Sequence, residues 1–178
     1  TPPLGCTPRI NSAPQRYGVA PAIDELARRA VGCLAPPRGR TITITEGPTP
    51  TIERDEHGNA RGGIRLPQLE APIATLSGEP GGGPGWCSLF GSTTAFDAAR
   101  LSSLYPTHQD YVKAFSKAAD KAQRDGFLLP ADAKEAKAEA SLAALQHMMK
   151  NIARVRRDGD AVEVEASELV PGDVVLVE

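Results

Sequence analysis

Three imidazoles, three thiols and a few serines are the groups in this chain that could do covalent or acid–base chemistry. His57, His108 and His147 are the only histidines, and Cys6, Cys33 and Cys87 the only cysteines. Ser88 directly follows Cys87, and Ser92 sits in Gly91-Ser92-Thr93. A serine hydrolase of the α/β type carries its nucleophile on a strained Gly-x-Ser-x-Gly turn, beside a His base that an acid orients. No such pentapeptide occurs here, and Gly91-Ser92-Thr93 lacks the second Gly. His57 lies in the polar turn Asp55-Glu56-His57-Gly58-Asn59 and reads as a solvated turn residue. His108 falls in the first turn of an expected helix, where the dipole disfavours the charged form. His147, beside Met148 and Met149, reads as packing at the edge of a helix stripe. Cys87 reads as a buried or disulfide-bonded cysteine rather than a nucleophile.

Gly81-Gly82-Gly83 has the look of a phosphate cradle. A P-loop ends in Gly-Lys-Ser/Thr at the start of a helix, whereas Pro84-Gly85-Trp86 follows here, so a flexible loop is the expectation. The cysteine spacing matches no zinc pattern. The sequence therefore offers no catalytic, cofactor-binding or metal-binding residue that it can name.

The elements that would position these groups are short. Residues 1–18 read as extended coil. Pro21 to Val31 reads as a helix with Ile23, Leu26, Ala27 and Ala30 on one face and Gly32 to end it. Thr41 to Thr45 alternates as a strand does. Ile64 to Leu66 and Pro72 to Leu76 suggest short strands, and Glu79 to Gly85 a mobile surface loop. Thr93 to Leu104 is expected to be helical. Thr107 is placed to cap a following helix, with Asp110 completing the reciprocal pair. Tyr111, Phe115, Ala118, Ala119 and Ala122 make that helix's apolar stripe, and Gly126 stops it. Pro130 opens a further helix from about Ala131 to Asn151. Its Ala/Lys/Glu-rich first half is expected to face solvent. Its second half, with Leu142, Leu145, Met149 and Ile152, is expected to be amphipathic.

Beyond it, Ala153–Arg156 and Ala161–Glu165 flank Asp158-Gly159, a hairpin signal because Asp-Gly tolerates positive φ. Val162 and Val164 are expected to face a dry side. Pro171-Gly172-Asp173 marks a turn before the apolar run Val174–Val177. An unpaired edge there invites another chain, so self-association or a complementing chain is the expected partnership. The fold class is mixed α/β: a loop-rich N-terminal half, central helices and a C-terminal β-hairpin unit.

Composition narrows the classes further. The chain has 178 residues, 40% of them hydrophobic but only 4% aromatic. A core of Ala, Val, Leu and Ile buries less area per residue than an aromatic one, so stability should be modest. The net charge of −2 gives no basic excess to neutralise phosphates, which argues against nucleic-acid binding. No apolar run approaches the roughly 18–20 residues that span a bilayer. The first residues have neither the charged nor the apolar region of a signal peptide. A soluble chain without membrane insertion is the expectation, its compartment unassigned. The lack of an initiator Met suggests a processed, truncated or excerpted chain. With three cysteines at least one stays unpaired, so a disulfide is left open.

Several irregular motifs occur in order: Arg54-Asp55-Glu56-His57-Gly58-Asn59-Ala60-Arg61-Gly62-Gly63-Ile64-Arg65-Leu66-Pro67, Ala71 to Gly78, Cys87 to Asp97, and Leu104-Tyr105-Pro106. Together with Cys6, Pro8, Asn11 and Ala35-Pro36-Pro37 upstream, they resemble the C-terminal portion of a bacterial α/β-hydrolase-domain family over about residues 1–138. The resemblance implies a nucleophile and a His upstream of Thr1, and it favours Cys6 with Cys87 as a bridge, since both fall in the shared motifs. From about residue 139 onward the sequence resembles a second family. Ser141–Leu145, Ala153–Gly159 and above all Ala166-Ser167-Glu168-Leu169-Val170-Pro171-Gly172-Asp173-Val174-Val175-Leu176 are similar to the start of the actuator domain of P-type cation-transporting ATPases. The Asp-Lys-Thr-Gly phosphorylation motif and the Thr-Gly-Glu loop of that family are absent, and Asp173 reads as a turn residue.

The expectation that follows is a hydrolase-like partial protein without its own nucleophile elbow, inactive alone and associated with ester or amide hydrolysis only when complemented. The alternatives are a non-enzymatic interaction or structural protein, or an actuator-like fragment of a cation ATPase. A fusion, a truncation or a chimera would each produce the pattern.

Overall fold

The fold was analysed in a computed structural model, which describes residues 5–7, 9–13, 15–32, 35–80, 82–148, 152–157, 160–165, 170 and 172–176. The chain divides into two compact units, Thr1–Ala140 and Ser141–Glu178. Its architecture is mixed α/β, with helices and small antiparallel sheets.

The first unit opens with strand β1 (Arg9–Ile10) and helix α1 (Arg16–Gly32). The helix starts five residues before the expected Pro21, which lies inside it. Proline there removes one intrahelical donor. Tyr17 anchors the helix: it is fully buried and donates from its hydroxyl to Glu139 at 2.9 Å. Arg16 stacks on the Tyr17 ring and pairs with Glu135 at 2.6 Å. Tyr17 and Pro21 are the buried residues of α1. The expected face exists, but Ile23 and Leu26 on it are exposed, so periodicity identified the helix and not its packing side.

Strands β2 (Ile44–Thr45) and β3 (Thr51–Ile52) pair as an exposed antiparallel ribbon. No strand forms at Ile64–Leu66, contrary to the sequence reading. Arg65 there is held by side-chain bonds rather than a ladder: it donates to the carbonyls of Ala60 and Leu69. A short helix α2 (Pro67–Glu70) leads to β4 (Ala74–Ser77), a 3-10 turn (Gly85–Leu89) and β5 (Ser92–Ala95). Strand β5 is central in a three-stranded antiparallel sheet, between β1 and β4. The sequence reading of Thr93–Leu104 as one helix is therefore corrected. Ser92 to Ala95 is strand, in keeping with the β-branched Thr93-Thr94, and α3 (Ala98–Leu104) begins only after Asp97 accepts from the Arg100 N–H as N-cap.

The core lies on α4 (His108–Arg124) and α5 (Pro130–Met148). Thr107 and Asp110 form the expected reciprocal cap: the Thr107 hydroxyl accepts from the Asp110 N–H, and Asp110 accepts from the Thr107 N–H. Phe115, Ala118, Ala119 and Ala122 are buried, as their spacing predicts. Gly126 takes φ +81° beyond the helix end, a conformation that costs Gly little. The first half of α5 faces solvent through Lys134, Glu135 and Glu139 but also buries a stripe. Ala133, Ala136 and Ala140 are buried against α4's cluster. Alanines at i, i+3 and i+7 make a narrow packing stripe, which a charge-dominated reading overlooks. Leu142 is exposed, and the side chains of 143–153, with Leu145, His147, Met149 and Ile152, lie outside the described residues.

In the second unit, β6 (Ile152–Arg157) pairs antiparallel with β7 (Asp160–Glu165), and β8 (Val174–Val175) adds to the other side of β6. The Asp158-Gly159 turn lies outside the described residues. Val155 on β6 is fully buried and Val162 opposite it is exposed, while the side chain of Val164 lies outside the described residues. Asp173 closes the turn before β8, accepting from the Val170 N–H while its own N–H bonds the Val170 carbonyl. Among the described residues, no helix is long and apolar enough to cross a membrane.

Candidate functional site

The densest polar constellation of the first unit is the Asp55–Asn59 turn and the side chains that converge on it. Asp55 Oδ1 accepts from the N–H groups of His57 and Asn59, a local closure that Asp favours in turns. Gly58 supplies the positive φ of +79°. Asn59 is fully buried, donates to the Ala74 carbonyl and accepts from the Leu76 N–H, so it ties the turn to β4. Arg65 pairs with Asp55 at 2.8 Å and also with Glu70. Burial by itself would raise the Asp55 carboxyl, but the Arg65 hydrogen bond and the two backbone donors outweigh it and hold that group below the usual carboxylate range. Burial likewise works against the Arg65 guanidinium, and its bonds to Asp55 and Glu70 reverse the sign.

This network presents His57 on its outer side. The ring is mostly covered, against Phe96. Nδ1 stands 3.5 Å from Arg100 NH2, and Nε2 stands 3.6 Å from the exposed Glu56 carboxylate. Arg100 also stacks on Phe96 and donates to the Glu56 carbonyl. The arrangement holds an imidazole in place; it does not aim one at a hydroxyl.

The nucleophile candidates are elsewhere. Cys87 is bonded to Cys6, and both are buried. Ser88 Oγ donates to the Gly85 carbonyl at 2.7 Å, and Ser92 stands in β5 opposite Ile10 and Ser77. Neither hydroxyl is hydrogen-bonded to an imidazole among the described residues. His108 lies in the first turn of α4, where its Nδ1 is buried with no hydrogen-bond partner among the described residues. The described part of the Gly-rich loop is held rather than free. The Thr7 N–H bonds the Gly82 carbonyl, and Gly83 packs so closely on Cys87 that a Cβ would come within 3.1 Å of its sulfur. Cys33 and Gly81 lie outside the described residues.

A cavity of about 310 Å³ opens between α1, Pro36-Pro37 and Phe127. It is apolar, and among the described residues no serine, cysteine or histidine lines it. Among the described residues, no group of three or more His, Cys, Asp or Glu is placed to hold a metal ion. Sequence reasoning missed the Asp55–Arg65–Glu70 and His57–Arg100 pairings. Their partners lie 5 to 43 residues apart, and only the density of charge around the Asp55–Asn59 turn hinted at them.

Comparison with known proteins places these motifs. A calcium-transporting ATPase of Listeria monocytogenes serovar 1/2a (strain ATCC BAA-679 / EGD-e) is 52% identical over 42 residues. That stretch is 24% of this chain and 5% of the ATPase, so the chain spans about a twentieth of that relative's length. No solved structure matches. The model of an α/β hydrolase domain matches residues 1–138. Through that stretch, more than three quarters of its length, the chain belongs to the α/β hydrolase domain family.

Proposed function

We propose that this chain is a non-nucleophilic partner in an α/β-hydrolase system. It is inactive alone and supports ester or amide hydrolysis once another polypeptide supplies the serine and its base. The observation that carries the reading is the separation of the parts. Cys87 is spent in a disulfide, Ser88 bonds a carbonyl within its own turn, and the mostly covered His57 is held between Phe96 and Arg100. A triad needs a hydroxyl, an imidazole and a carboxylate in one hydrogen-bonded line. The membership of residues 1–138 in the hydrolase family supports that reaction class.

The test is turnover of a p-nitrophenyl ester by the chain alone, and again after mixing with a chain that bears Gly-x-Ser-x-Gly. No turnover alone and turnover on mixing support the reading. Turnover by the purified chain alone overturns it.

A second reading concerns Ser141–Glu178. The identity to the calcium-transporting ATPase and the separate three-stranded unit favour an actuator-like module that docks on a cation pump or on another copy of itself. The outer edge of β8 is the surface such docking would use, because an edge strand offers unpaired backbone groups. Sedimentation that stays monomeric at all concentrations, together with no co-purification with a cation ATPase, removes this reading.

A further inference from the structure

We draw no further inference here: the strongest candidate, the apolar groove of about 310 Å³ between α1, Pro36-Pro37 and Phe127, continues through Leu26 into the exposed Val19 and Ile23 face of α1, its rim charges Glu25 and Arg29 stand at the spacing where helix side chains pair with each other, and nothing in the structure shows what covers it.

Discussion

Asp55 and Arg65 meet at 2.8 Å with most of both side chains out of water. Ten residues separate them, and the chain between turns twice to bring them together. Gly58 and Gly62 adopt φ of +79° and +77° to allow it. Removing one partner leaves the other partly buried without its counter-charge. For Arg65→Ala we expect a loss of about 2–4 kcal/mol, since breaking a buried pair is costly and this one keeps some exposure. Urea unfolding followed by circular dichroism measures it, and an unchanged midpoint would refute the role given to this pair.

The same pair sets an acid limit. The Asp55 carboxyl is held below its unfolded value, near 3.9 for a free Asp. A depressed group stabilises the fold above the unfolded pKa, and that stability fades as pH falls through the lower folded value. Stability should therefore drop below about pH 4. Asp55→Asn should flatten the drop while lowering stability at pH 7. Unfolding curves from pH 2 to 7 on both proteins test the sign.

Tyrosine sets the alkaline limit. Burial pushes the hydroxyls of Tyr105 and Tyr111 up to about 12, and their rings meet edge to face at 5.1 Å. A folded pKa above the unfolded value of about 10 favours the neutral form. The stability it contributes is full below pH 10 and is lost as pH rises toward 12. Tyr111→Phe should shift this base-induced loss upward, read from absorbance of tyrosinate against far-UV ellipticity. The same loss in the variant would assign it to other groups.

Cys6 and Cys87 close a loop spanning 81 residues. Chain-entropy reasoning gives such a closure about 4.5 kcal/mol, and native strain usually leaves about 2–4 kcal/mol. Cys6→Ser should lower the unfolding free energy by that amount and leave Cys87 open to thiol reagents once unfolded. Mass spectrometry after alkylation without reductant should find both cysteines unlabelled in the parent chain. Labelling of both would show that the bridge does not form.

Gly62 is closed to a side chain both by space and by its backbone conformation. A Cβ there would stand 2.0 Å from the Thr41 carbonyl oxygen, in a conformation L side chains rarely adopt. Gly62→Ala should cost more than the roughly 1 kcal/mol of an ordinary positive-φ exchange, and Gly78→Ala, where nothing stands in the way, much less. In any complemented esterase, Ser88→Ala, Ser92→Ala and His57→Gln should each keep the initial rate within about threefold. A thousandfold loss in one of them, the scale on which triad members act, would move that residue into the machinery.

Local code was legible in the sequence. The Thr107–Asp110 cap, the α4 stripe, the Asp55–Asn59 turn and the β6–β7 pairing all depend on neighbours within a few residues, and each could be read from spacing alone. The family could be read as well, from the order of its irregular motifs. What the sequence left open was decided by distant contacts. Ser92–Ala95 is a strand because β1 and β4 flank it, α1 packs through Tyr17 because Glu139 waits 122 residues away, and α5 turns its alanines inward because α4 presents a matching row. Helical periodicity marks which residues share a face, but burial is a property of two surfaces meeting. For the same reason the residue types of a catalytic site were visible at once, while only the tertiary structure directed His57 at an arginine and bound Cys87 to Cys6.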